Sequence, residues 1–250
     1  MTMNMYYLIS AIIFSMLIVL PAHAGEFVDS DGDKVSDYDE TTIYHTNPNK
    51  ADTDDDGYDD RIELNSGFSP FSVGKTLENN DFDQDGLSDK LEYHFKTDPT
   101  SVDTDADGFL DGMEVWHGYD PSKAGEVRLE KRINIDTKNQ LLSYYTGDVR
   151  LGMFSISTGK PGMATPAGEF VVLEKTPWRW SSMAKLWMPY WLMFDKRGYG
   201  IHELPQWPDG TKEGANHLGT PVSHGCVRLG VGPAQELYNF AELGTKVYIN

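Results

Sequence analysis

The residues Ser223-His224-Gly225-Cys226-Val227-Arg228 set a hydroxyl, an imidazole, a thiol and a guanidinium side by side. A thiol becomes a working nucleophile when an imidazole takes its proton or its pKa is otherwise lowered. Gly225 lets backbone approach closely, so neighbouring N–H groups can face a developing oxyanion. Arg228 offers a planar, two-pronged grip on a carboxylate. Cys226 is the single cysteine of the chain. Such a thiol in an exported chain is either a small core residue or a reactive group, and its neighbours favour the second. A zinc site of Cys226 with His202 and His224 is disfavoured, because one thiolate without a second cysteine is a poor ligand set.

A second chemistry recurs upstream. The pattern D-x-D-x-D-G-x-x-D-x-x-E occupies residues 52–63, 81–92 and 103–114, and a fourth copy at 29–40 has Lys34 where the others have Gly57, Gly86 and Gly108. The candidate ligands are Asp29, Asp31, Asp33, Asp37 and Glu40; Asp52, Asp54, Asp56, Asp60 and Glu63; Asp81, Asp83, Asp85, Asp89 and Glu92; and Asp103, Asp105, Asp107, Asp111 and Glu114. Carboxylates at positions 1, 3, 5 and 9, a carbonyl at 7 and a two-oxygen Glu at 12 suit a hard cation, calcium rather than magnesium. Position 7 is Val35, Tyr58, Leu87 or Phe109, side chains expected to form a thin core. A proline follows each copy (Pro48, Pro70, Pro99, Pro121) at a nearly constant offset, the mark of a structural unit rather than a disordered acidic linker. Loop starts lie 23, 29 and 22 residues apart, cramped for the two flanking helices of an EF-hand. The segment resembles thrombospondin type 3-like calcium repeats, with a dockerin-like module as the alternative; the first resemblance implies a calcium-rigidified stalk. His45, His94 and His117 share no metal-ligand spacing and are expected on the solvated surface.

The formal charge of −18 is unevenly spread. Residues 25–124 hold 27 acidic and 7 basic side chains, residues 125–250 hold 12 and 14. So acidic a first half repels nucleic acid and anionic lipid, which argues against a nucleic-acid partner. Residues 6–20 are largely apolar and end in Pro21-Ala22-His23-Ala24, a small-x-small cleavage site. The expectation is a signal peptide at 1–24, a repeat region at 25–124 and a catalytic domain at 125–250. The apolar run is shorter than the ~20 residues a span needs, so no stable membrane span is expected after cleavage. The mature protein is expected in the periplasm, outside the cell or at the wall.

From residue 128 short apolar runs alternate with turns: Ile133 and Ile135, then 141–145, 153–157, 169–173, 191–194, 198–202 and 246–249. One helix is expected at 233–243, with Pro233 at its start and Gly244 past its end. The fold class is mainly β, with a carboxyl-terminal helix behind a calcium-loop stalk. In the aromatic stretch 176–195, Trp191 and Phe194 are expected in the core, and Trp178 and Trp180 in a lid that grips substrate.

Residues 128–250 resemble the L,D-transpeptidases, through His202, Ser223-His224-Gly225-Cys226 and Arg228, with Ser157-Thr158-Gly159 and Thr165-Pro166-x-Gly168 upstream. The resemblance implies Cys226 as nucleophile and His202 as its base, with an oxyanion hole of backbone around His224, Gly225 and Cys226. It also implies Arg228 as the contact to a substrate carboxylate. The gap from His202 to Ser223 is longer than the family's usual spacer, and His217 is the rival base. The implied substrates are peptidoglycan stem peptides, the acyl acceptor being a stem amine, a wall-anchored protein or water. No cofactor is implied for catalysis, and a carbapenem is the implied inhibitor. The alternatives are an L,D-carboxypeptidase or endopeptidase using the same thiol, and a calcium-stabilised adhesin without activity.

Overall fold

The computed structural model describes residues 27–250, so the expected signal segment lies outside the described residues. One short helix follows each acidic loop: α1 (Asp37–Asp39) running into a π-helical turn (Glu40–Tyr44), α2 (Asp60–Ser66), α3 (Asp89–Phe95) and α4 (Asp111–His117). Position 9 of each loop is the first helical residue, where a carboxylate complements the helix dipole. Left-handed residues at the carboxyl ends (His45, Gly67, Lys96, Gly118) stop the helices.

The loops associate in pairs. An Asp33 oxygen accepts the Arg61 N–H of the next copy at 3.4 Å, and an Asp85 oxygen accepts the Gly112 N–H at 2.7 Å. A side chain at 112 would bring its Cβ to 2.5 Å of the Asp85 carbonyl, so this pairing requires glycine. Pairing also decides the fate of position 7. Val35 and Leu87, in the leading copies, are 6% and 4% exposed, whereas Tyr58 and Phe109 are 60% and 64% exposed. The expected thin core is thus made by alternate copies only, because each pair covers the side chain of its leading copy and leaves that of its trailing copy open.

The carboxyl-terminal domain has nine strands: β1 (Lys131–Asp136), β2 (Leu141–Thr146), β3 (Val149–Ser155), β4 (Gly168–Val171), β5 (Glu174–Ser181), β6 (Leu186–Asp195), β7 (Tyr199–Glu203), β8 (Val227–Leu229) and β9 (Lys246–Ile249). They form a five-stranded sheet ordered β3-β2-β1-β9-β4 and a four-stranded sheet ordered β5-β6-β7-β8. Alternation along β1 and β2 turns Ile133, Ile135, Leu142 and Tyr144 inward. They meet Leu192, Phe194, Ile201, Val227 and Leu229 of the second sheet and Leu237 and Phe240 of helix α5 (Pro233–Phe240) in one core. The expected strands and helix are present; β5 and β8 were not expected. Residues 174–195, the stretch expected to hold a lid, form a β-hairpin of β5 and β6 whose tip lines the cavity that contains Cys226.

The repeats do not stand free of this domain. Leu87, Phe95 and Val115 bury themselves against Leu129, Val149 and Leu151. Thr146 Oγ1 donates to the Val115 carbonyl at 2.9 Å, Lys131 Nζ donates to the Trp116 carbonyl at 2.8 Å, and Trp116 meets Phe240 edge-on.

Candidate active site and acidic loops

Strands β7 and β8 run parallel with Ile201 opposite Val227 and His202 opposite Arg228. Since Ile201 and Val227 point into the core, alternation sends His202, Arg228 and Cys226 to the other face of the sheet. There they line one cavity of about 510 Å³, with Ser223, His224, Trp180 and Trp191. A larger trough of about 780 Å³ crosses the outer face of the five-stranded sheet, but it contains no candidate nucleophile.

The loop carrying the thiol is held from behind. Ser223 Oγ donates to the Cys226 carbonyl at 2.6 Å and accepts the Gly225 N–H at 3.0 Å. Thr165 Oγ1 donates to the Gly225 carbonyl at 2.9 Å, and Ser157 exchanges backbone hydrogen bonds with Arg228. Gly225 has φ +113°, and a Cβ there would lie 2.3 Å from the Tyr199 ring. Ser223 is therefore a structural brace. Gly225's N–H, expected to face the oxyanion, is instead spent on Ser223, which leaves the His224 and Cys226 N–H groups as the candidates.

His202 is fully buried, its ring stacked on Trp191 with centroids 5.8 Å apart. Its Nδ1 lies 2.5 Å from the Glu203 carbonyl, which can only accept, so Nδ1 carries the proton and Nε2 is the free base. Burial pulls its pKa down to about 4, with Arg228 adding to the fall. Burial also pushes the Cys226 thiol up, opposed by a hydrogen bond from the Gly200 backbone and by the charges of Arg228 and Arg179. Burial thus favours the neutral form of each group, and both line the same cavity.

The rival His217 sits on a 3-10 turn (Ala215–His217) and does not line the cavity. Arg228 is buried and lies 3.5 Å from Glu213. His224 is exposed at the cavity edge. Trp191 and Phe194 are core, with Trp191 also flooring the cavity. Trp180 lines the cavity; Trp178 does not, and packs edge-on against Trp187 instead, so the expected pair splits. Arg179, Arg197 and Tyr199 also line the cavity and had no motif to announce them.

In the acidic loops, carboxylate oxygens at positions 1, 3 and 5 converge within 4.8 Å in all four copies. Position-12 glutamates Glu40, Glu63, Glu92 and Glu114 are buried, each with at least one oxygen lacking a partner. Burial first, then neighbouring carboxylates, push Glu40 and Glu114 to about 7, Glu63 to about 8 and Glu92 to about 9, with a Thr46 hydrogen bond opposing at Glu40. Buried carboxylates without partners suit a divalent cation. Position 9 departs from expectation. Both oxygens of Asp37, Asp60, Asp89 and Asp111 accept hydrogen bonds, chiefly from the position-2 residue, so these side chains brace the loop instead of joining the converging set. Lys34 reaches φ 78° and donates its N–H to Asp29, as Gly57 does to Asp52, so the first loop keeps the shape of the others. His45 pairs with Asp98; His94 and His117 are exposed.

Comparison with known proteins gives both halves relatives. Residues 130–249 match the YkuD L,D-transpeptidase catalytic domain, and residues 29–51 and 103–124 match the bacterial TSP3 repeat. YkuD of Bacillus licheniformis, provisionally named an L,D-transpeptidase, is 31% identical over 118 residues, 47% of this chain and 64% of that protein. Its Bacillus subtilis namesake is 34% identical over 97 residues, 39% of this chain and 52% of that protein. A solved L,D-transpeptidase from Stackebrandtia nassauensis aligns at 29% identity and TM-score 0.43, covering 51% of this chain and 58% of that one. The chain thus spans less than two thirds of the length of these curated relatives. Among the described residues no helix is long and apolar enough to cross a membrane. Residues 130–249 are thus similar to an L,D-transpeptidase catalytic domain, and the acidic segments before them are similar to bacterial TSP3 repeats.

Proposed function

We propose that this protein is exported, with residues 1–24 as its signal, and forms peptidoglycan cross-links at the periplasmic or outer wall through a thioester on Cys226. The carrying observation is that Cys226, His202 and Arg228 share one sheet face and one cavity. His202 Nε2 takes the thiol proton as the sulfur attacks the carbonyl of the L-centre of a diamino acid in a tetrapeptide stem. The imidazolium returns that proton to the departing D-Ala amine, leaving a thioester. A side-chain amine of a neighbouring stem then attacks, gives up its proton to His202, and releases the thiolate as the thiol. One amide breaks and one forms, so no external energy source enters. The His224 and Cys226 N–H groups receive the oxyanion. Calcium is the proposed cation of the four loops, held by positions 1, 3, 5 and 12, and its role there is structural: it neutralises buried carboxylates.

Disaccharide tetrapeptides incubated with the full chain and read by mass spectrometry test the catalytic part. Dimers lacking one D-Ala are expected, and Cys226→Ala should lower their rate at least ~1,000-fold. Tripeptides alone would reassign the protein as a carboxypeptidase. No turnover, together with no carbapenem adduct on Cys226, would leave a wall-binding protein without chemistry.

A further inference from the structure

The cavity around Cys226 differs in charge from the protein that carries it. In a chain of formal charge −18, its lining includes Arg179, Arg197 and Arg228 and no aspartate or glutamate. The three arginines come from different elements: Arg179 from β5, Arg197 from the turn between β6 and β7, and Arg228 from β8. Each is steadied without being used up. Arg179 Nη1 donates to Glu174 at 2.6 Å, and its guanidinium lies 5.1 Å from the Trp191 ring centroid. Arg197 uses Nε and Nη2 on Asp195 and lies 5.4 Å from the Tyr199 ring centroid. The acidic partners Glu174, Asp195 and Glu213 are absent from the cavity lining. Among the described residues, Nη2 of Arg179 and Nη1 of Arg197 have no protein acceptor. Guanidinium groups pre-oriented by a carboxylate and an aromatic face bind a further carboxylate at little added entropic cost. Arg179 and Arg228 line the same cavity as the Cys226 sulfur, and the charge of each opposes the rise that burial gives its thiol.

We propose that Arg179 and Arg197 act with Arg228 as a carboxylate-reading set, and that the preferred donor is a stem peptide bearing at least two free carboxylates near the scissile bond rather than its amidated counterpart. This rests on the acyl-transfer reading of the same cavity. A donor whose second carboxyl is an amide loses a charge-assisted pair and leaves a guanidinium facing a neutral group. Arg179 and Arg197 are specificity residues in this scheme; neither touches the scissile bond.

The test compares disaccharide tetrapeptides whose side carboxyls are free with the same molecules amidated, using the calcium-loaded full chain. Wild type is expected to favour the free acid by about tenfold in kcat/KM, expressed in KM, which corresponds to one charge-assisted hydrogen bond. Arg179→Gln and Arg197→Gln should each cut that preference to about threefold or less with kcat nearly unchanged, and Arg179→Lys should restore part of it. Arg197 has an exposed side chain on a turn, so its substitution leaves folding intact and guards against misreading an Arg179 variant that folds poorly. Equal kcat/KM for both donors in wild type, or full preference retained in both variants, overturns the proposal. Calorimetry with Cys226→Ala separates this outcome from failure of the enzymatic reading. Free-acid stems that bind tighter than amidated ones, without turnover by wild type, would uphold the cavity's selectivity and reject the chemistry. Equal affinity for both would reject the selectivity whatever the turnover.

Discussion

Residues 27–124 bury carboxylates, and residues 130–249 bury hydrocarbon. In the first region the least exposed side chains include Glu40, Asp60, Asp89, Glu92 and Asp111; in the second they include Ile133, Leu142, Ile156, Leu237 and Phe240. An apolar core is held by transfer from water and needs no third party. A carboxylate interior is unfavourable until a cation offsets desolvation and like-charge repulsion together. The two regions therefore share a chain and an interface while answering to different variables, and that difference can be attacked experimentally.

Removal of divalent cations should have the largest effect. At pH 8 or above, a chelator is expected to unfold most of residues 27–124 and to expand the chain, as read by small-angle scattering, while near-ultraviolet circular dichroism of residues 130–249 persists. Residues 130–249 lose only what Leu87, Phe95, Val115 and Trp116 contribute across the interface, on the order of a few kcal/mol. Loss of both regions in one transition would show that the contacts at Leu129, Val149 and Phe240 make them a single cooperative unit.

Much of this contrast was legible in the sequence, for a physical reason. The acidic loops and the Ser-His-Gly-Cys segment are local: spacing along the chain is spacing in space, so Asp52, Asp54 and Asp56 announce themselves. Arg179 and Arg197 reach the cavity only because β5, β6 and β7 pair in a given register, and no local pattern encodes that. The bracing role of Asp37, Asp60, Asp89 and Asp111 was hidden for the opposite reason. Position 9 has the right residue type for a ligand, and only the position-2 backbone N–H together with a Ser, Thr or Asn side chain reveals where its oxygens go. β5 was missed because Glu174-Lys175-Thr176-Pro177 lacks the apolar alternation of an ordinary strand, and its partner β6 supplies the burial instead.

A smaller effect, of opposite sign in the two regions, is expected from pH. Without cation, the position-12 glutamates have folded pKa values of about 7 to 9 against about 4.5 unfolded. The folded repeats then bind more protons, so their stability is fully present below the unfolded value and falls as pH rises through 7 to 9. His202 runs the other way. Its folded pKa of about 4 lies below the ordinary 6.5, so the unfolded chain binds the extra proton. The catalytic domain keeps this contribution above pH 6.5 and loses it as pH falls towards 4. Denaturant titrations of the chelated protein from pH 4 to 9, with probes in each region, should give slopes of opposite sign. Saturating calcium should flatten the repeat slope alone. A repeat slope that survives calcium would mean that the glutamates are not its ligands.

The finest test lies inside the repeat region, at position 7. Four bulky side chains occupy equivalent places in equivalent loops, so sequence alone ranks them together. Pairing separates them, because a leading copy is roofed by its successor and a trailing copy is not. Leu87→Ala in the calcium-loaded protein is expected to cost about 2–3 kcal/mol, the usual price of a buried leucine truncated beside partners such as Phe95 and Val115. Phe109→Ser, on a side chain that is already largely in water, should change stability by less than about 0.5 kcal/mol. Both variants keep every carboxylate, so calcium affinity at the third and fourth loops supplies an internal control. Equal destabilisation by the two would mean that the trailing face is covered in solution and that the pair is not the unit of packing.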